Sequence, residues 1–128
     1  MKENQLGSCH DDGTVAIWDT DKGSLNFKFD PHHDEPATSL IFSSVNHMLL
    51  GSVGLDRRLI FYDIYKGRKV VENLKLDEPL TSLSFNKDGY TIGVGTSEGK
   101  VCILDLRYLK NPMRVLEGHK GAVSEVMF

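Results

Sequence analysis

Short apolar runs, each closed by a cluster of turn-forming residues, succeed one another along this chain. Three of them share one phrase. Val15-Ala16-Ile17-Trp18-Asp19, Leu59-Ile60-Phe61-Tyr62-Asp63 and Val101-Cys102-Ile103-Leu104-Asp105 each place four apolar residues before an aspartate, and the aspartates stand 44 and 42 residues apart. A second phrase keeps the same period. Ala37 to Phe42, Leu80 to Phe85 and Ala122 to Phe128 all end on phenylalanine, 43 residues apart. Runs this short, β-branched and bounded by turn residues predict strands. Between residues 76 and 118, strand a runs from Leu80 to Phe85 and strand b from Thr91 to Gly95, with Asn86-Lys87-Asp88-Gly89 turning between them. Ser97-Glu98-Gly99 turns into strand c, Val101 to Asp105, and Met113 to Leu116 makes strand d. Glycine in these turns supplies the positive φ that a tight hairpin requires. Residues 33–75 repeat the plan, with turns at Asn46-His47, Asp56-Arg57 and Lys66-Gly67; residues 6–32 hold a b, c and d remnant, and 119–128 a single strand a.

A unit of about 40 to 45 residues carrying four short strands is the mark of a β-propeller blade. Asp11-Asp12-Gly13-Thr14-Val15-Ala16-Ile17-Trp18-Asp19 resembles the strand b to c passage of the WD40-repeat family, and Gly118-His119 resembles the Gly-His pair that opens its unit. The resemblance implies an all-β fold of four-stranded antiparallel blades. It also implies a buried hydrogen-bond network in each blade, joining a histidine before strand a, a hydroxyl on strand b, an aspartate in the b to c turn and a tryptophan on strand c. Matched position by position, the first unit offers Asp12 and Trp18, with His10 where the hydroxyl is expected. The second offers His33 and Asp56, with Tyr62 for tryptophan and Gly54 on strand b; the third keeps Thr96 beside Leu76, Glu98 and Leu104; His119 opens the next. On this reading no complete unit has all four members. Rings of this family commonly have seven blades, about 300 residues at this period. Two complete and two partial blades therefore predict a piece of a larger protein, or an open arc completed by a second copy, with self-association through open blade edges.

Less generic phrases carry a narrower resemblance. Phe42-Ser43-Ser44-Val45-Asn46, Gly54-Leu55-Asp56-Arg57-Arg58-Leu59-Ile60-Phe61-Tyr62-Asp63 and Asp105-Leu106-Arg107-Tyr108-Leu109-Lys110-Asn111-Pro112 are similar to the later blades of the centrosomal WD-repeat adaptors that recruit γ-tubulin ring complexes. That implies a non-catalytic scaffold of the centrosome and mitotic spindle. In that family, γ-tubulin-complex binding belongs to a helical C-terminal segment that these residues do not include. The alternative is a WD40 scaffold of another system, such as ubiquitin-ligase substrate recognition or RNA processing, because a fold does not choose its partner.

Composition narrows the partners. With 40% hydrophobic and 26% charged residues the chain has the content of a globular core, and a net charge of -3 with a pI near 5.9 argues against nucleic acid. Arg57, Arg58, Lys66, Arg68, Lys69 and Lys75 gather in one unit, as solvated surface or as a patch for an acidic protein partner. Cys9 and Cys102 are too few and too far apart for a disulfide framework and read as small buried hydrophobes in a reducing cytoplasm. The sequence holds no 18-residue apolar run and Met1-Lys2-Glu3-Asn4-Gln5 leads into turn chemistry, so no membrane partner is expected.

Candidate chemistry gives way to structural readings. Gly95-Thr96-Ser97-Glu98-Gly99-Lys100-Val101 has three residues between its glycines and valine after the lysine, where a phosphate loop needs four and a hydroxyl. Asp19-Thr20-Asp21-Lys22-Gly23 starts like a calcium loop but sets Gly23 and Asp30 where an oxygen donor and a glutamate are needed. His32 and His33 point opposite ways on an extended segment, and no nucleophile elbow occurs. No cofactor, metal or catalysis is expected. Trp18, Tyr62, Phe42, Phe85 and Phe128 recur with the unit and read as core. Propellers of this kind offer partners their d to a and b to c loops. Here these loops carry Asp34, Glu35, Leu55, Asp56, Arg57, Asp77, Glu78, Ser97, Glu98, Lys120 and Gly121, and Asp34-Glu35-Pro36 with Asp77-Glu78-Pro79 forms a repeated acidic rim suited to basic protein partners.

Overall fold

The computed structural model describes residues 5–29, 33–43, 49–64, 69–107 and 114–117. Their strands are β1 (Gln5–Cys9), β2 (Val15–Asp19), β3 (Ser24–Phe29), β4 (Ala37–Phe42), β5 (Leu49–Gly54), β6 (Arg58–Asp63), β7 (Lys69–Lys75), β8 (Leu80–Phe85), β9 (Thr91–Thr96), β10 (Lys100–Asp105) and β11 (Arg114–Glu117). They form three antiparallel sheets in chain order, β1-β2-β3, β4-β5-β6-β7 and β8-β9-β10-β11. These sheets are written below as blades 1, 2 and 3. The expected hairpins over residues 80–105 fall within a residue of the observed strands, while the turns at Asn46-His47 and Lys66-Gly67 and the strand within 119–128 lie outside the described residues.

Blade 2 explains why its strands read as unbroken apolar runs. Leu59, Ile60, Phe61 and Tyr62 are all essentially inaccessible, because both faces of the sheet are covered. Leu59 and Phe61 join Val53, Leu83, Phe85, Ile92 and Leu104 in the core between blades 2 and 3. Ile60 and Tyr62 join Val15, Ile17, Phe29, Leu50 and Ile64 in the core between blades 1 and 2. Burial of each such side chain contributes about 1.5–3 kcal/mol. Phe29 and Tyr62 meet at 4.7 Å between ring centres, and Phe61 and Phe85 at 6.2 Å edge to face.

Bulges and turns fix the joints. A register shift in β4 leaves Thr38 between the pairs Ala37–Gly54 and Ser39–Val53, and its hydroxyl donates to Val53 O at 3.2 Å and to Leu80 O at 2.8 Å, tying blade 2 to blade 3. Ala37 N donates to His10 O at 3.2 Å, tying blade 2 to blade 1. Gly13, Gly89 and Gly99 take positive φ in their turns, and Arg57 does the same at 70° with a full side chain. At Gly13 a β-carbon would lie 2.2 Å from His33 O, so the turn of blade 1 seats directly on the loop that opens blade 2.

Candidate functional site

The turn from β5 to β6 places Asp56 under the loop that precedes β4. Its carboxylate accepts from the backbone N–H of Asp34 at 2.9 Å and of Arg58 at 3.1 Å, and lies 3.0 and 3.1 Å from His33 Nδ1. The other ring nitrogen of His33, Nε2, is 2.8 Å from Ser52 Oγ, which is 3.1 Å from the Tyr62 hydroxyl. All four side chains are buried. The chain His33, Asp56, Ser52, Tyr62 thus runs from the loop before β4 through the turn and across β5 to β6, and each member is paired. Burial pushes the Tyr62 phenol up to about 12, against the lowering effect of its bond to Ser52. Gly54 makes room for this arrangement, since a β-carbon there would lie 2.7 Å from His33 Nδ1 and 2.8 Å from Asp56 Oδ1.

Two details of the sequence reading need correction. Ser52, not Gly54, is the hydroxyl of blade 2, so this blade does hold all four positions, with tyrosine in the place of tryptophan. In blade 1 the hydroxyl is Ser8, and His10 stands beside it rather than in its place: Trp18 Nε1 donates to Ser8 Oγ at 2.9 Å, and Ser8 Oγ lies 3.0 Å from His10 Nε2. Ser8 and Ser52 stand four residues before Asp12 and Asp56, whereas His10, Gly54 and Thr96 occupy the position two residues later on the same face of the strand. Asp12 is exposed and holds its own turn, accepting from Thr14 N at 3.0 Å and Thr14 Oγ1 at 2.6 Å, and the Thr14 side chain keeps its carboxyl below the usual range.

Blade 3 places Val94 and Leu104 where blade 2 has Ser52 and Tyr62, so the interior is apolar at both points. Thr96 instead accepts from Lys100 N at 3.0 Å. Glu78, read from sequence as a loop residue for partners, is mostly buried and pairs with Lys100 Nζ at 2.8 Å; Lys100 first and Thr96 second hold its carboxyl below the usual range. No sequence motif marks that pair, whose members lie 22 residues apart.

The loops before β4 and β8 and the turns into β6 and β10 come to one end of the strands. Leu55 N donates to Pro36 O at 3.1 Å and Ser97 N to Pro79 O at 2.9 Å, so each turn abuts the loop that opens its own blade. Asp34, Glu35, Leu55, Arg57, Asp77 and Glu98 are exposed on this face and Ser97 is half-buried. The Arg58 guanidinium reaches towards Asp34 at 3.7 Å and Asp56 at 3.9 Å. His119 and Lys120 lie outside the described residues. Cys9 and Cys102 are free and half-buried, and burial pushes both thiols up. Among the described residues, no group of three or more His, Cys, Asp and Glu side chains is arranged to hold a metal ion, and no helix is long and apolar enough to cross a membrane.

Sheets of this order, repeated in phase, with the opening loops of blades 2 and 3 seated on the turn of the preceding blade, resemble WD40-type β-propeller blades. The chain is similar in sequence over its whole length to Protein NEDD1 of Bos taurus, at 42% identity across 128 residues, which is 19% of that relative. It is also similar to the histone acetyltransferase type B subunit 2 of Kluyveromyces lactis, at 32% identity over 95% of this chain and 30% of that protein. In a solved structure titled as that of the mitotic checkpoint complex, one chain superposes with a TM-score of 0.84 over 94% of this chain and 36% of its own length, at 20% identity, a likeness of fold alone. No family model matches the chain. The chain spans about a fifth of the NEDD1 relative that it matches.

Proposed function

We propose that this chain is part of a non-catalytic WD40 scaffold that serves microtubule nucleation at the centrosome and mitotic spindle, in the cytoplasm, by helping to target γ-tubulin ring complexes. The observation that carries this reading is the similarity to Protein NEDD1 along all 128 residues, which coincides with the narrower resemblance read from the sequence. Packed apolar cores between the blades and the paired network inside blade 2 suit a rigid platform, and the loops vary without disturbing the core. The exposed ends of the two turns and the two opening loops present Asp34, Glu35, Leu55, Arg57, Asp77 and Glu98, a surface for a protein partner rather than for a nucleic acid. By the family resemblance, contact with the γ-tubulin complex itself belongs to a helical segment outside these residues, and on this reading the blades supply targeting.

The test is affinity purification of the endogenous protein from dividing cells, with mass spectrometry of everything retained. Subunits of the γ-tubulin ring complex in the eluate are the expected result. Their absence, with chromatin or ubiquitin-ligase subunits in their place, would overturn the centrosomal reading in favour of a scaffold of another system. The similarity to a histone acetyltransferase subunit supports that second reading, more weakly and at lower identity.

A further inference from the structure

At the opposite end of the strands from those loops, blades 2 and 3 do not close fully. A cleft of about 80 Å³ opens there between β7 and the residue that follows β10, lined by Leu49, Phe61, Val71, Glu72 and Leu106. Its walls are apolar except for Glu72. Two comparisons within the chain show that the cleft is not a necessary product of the repeat. The residue equivalent to Leu106 in blade 2 is Ile64, and at the junction of blades 1 and 2 it is only 4% exposed and packed into the core. The register shift in β7 between the pairs Phe61–Glu72 and Tyr62–Val70 leaves Val71 as the extra residue, 45% exposed at the cleft. The matching shift in β3, between Ile17–Phe27 and Trp18–Leu25, has the polar Asn26 as its extra residue. An apolar side chain is thus held out beside the cleft, where the matching position of blade 1 is polar. Glu72 is the acidic group on the rim of the cleft and has no ion-pair partner among the described residues.

We infer that this cleft is a docking site for an extended peptide segment that inserts one branched aliphatic side chain beside Val71 and Leu106 and sets a lysine or arginine against Glu72. The volume suits one such side chain, and the charge of Glu72 selects a basic flank over an acidic one. The inference is independent of the γ-tubulin reading and uses a different face of the blades. It is tested on the full-length protein by fluorescence anisotropy, with a fluorescein-labelled set of octapeptides carrying a central leucine flanked by lysines. Control sets have alanine for the leucine or glutamate for the lysines. The alanine set should bind about tenfold more weakly, as expected for an aliphatic group withdrawn from an apolar pocket. Val71→Lys should abolish the preference for leucine, and Glu72→Lys should reverse the preference between lysine and glutamate flanks. Both positions are exposed, so both variants should melt with the parent protein. Equal binding of the leucine and alanine sets, or binding that Glu72→Lys leaves unchanged, would overturn the inference. So would binding that responds instead to Asp34→Lys or Asp77→Lys on the other face.

Discussion

Arg57 shows how a single residue is held in a conformation that its type disfavours. Its φ of 70° occupies the turn position that Gly13 and Gly99 take in the neighbouring blades. The left-handed region costs an L-residue about 1–2 kcal/mol, and glycine gives part of that back through a freer unfolded chain. Arg57→Gly should therefore raise stability by roughly 0.5 kcal/mol, read as a higher urea midpoint at unchanged slope; a lower midpoint would show that the side chain contributes more than the turn loses. Asp56 presents the reverse case. It satisfies buried His33 and two part-buried backbone N–H groups, and Asp56→Ala removes that acceptor from all three, at a cost of about 3 kcal/mol. Gly54→Ala should be damaging for a steric reason alone, since its new methyl has to displace both His33 and Asp56.

Elements were more legible than the contacts between them. Strands β8 to β10 follow from the alternation of apolar runs with Asp-Gly and Glu-Gly turns, because local chemistry decides where a hairpin bends. The hydroxyls Ser8 and Ser52 were not legible from the turn, because a strand presents every second residue on one face: a count two residues short still lands on the correct face. The Glu78–Lys100 pair was hidden for another reason. It joins an opening loop to a strand of the same blade, and nothing in local patterning marks which loop acid folds inward. The network of blade 2 should behave as a unit. Ser52→Val removes the hydroxyl that joins His33 Nε2 to Tyr62, and adding His33→Leu should cost less than the sum of the two single changes, by about 1 kcal/mol. Strict additivity in that double-mutant cycle would mean that the bonds act independently.

At the scale of the molecule, charge and exposed surface set the conditions under which the blades persist. The Thr14 and Thr91 side chains, the Arg107 guanidinium and the Lys100 ammonium hold Asp12, Asp88, Asp105 and Glu78 respectively below the usual carboxylate range. Folding therefore favours the ionised forms, so this contribution is complete above the unfolded range near pH 4 and is lost as pH falls through the folded values. Urea midpoints should be flat between neutrality and about pH 5 and fall below about pH 4. On blade 1, Leu6 and Leu25 are exposed in register with Trp18, on the face turned away from blade 2. The isolated 128-residue polypeptide should consequently self-associate, and Leu6→Asp with Leu25→Lys should shift it towards monomer in sedimentation velocity; a parent chain that is monodisperse would contradict this.

The apolar pair Val94 and Leu104 inside blade 3 has a thermal consequence. Hydrocarbon burial loses strength as water is cooled, whereas the bonds between His33, Asp56, Ser52 and Tyr62 carry no such dependence on the ordering of solvent. Near freezing, amide protons of β9 and β10 should exchange sooner than those of β5 and β6, so that the chain would come apart from one side in the cold and hold longest where serine and tyrosine replace valine and leucine.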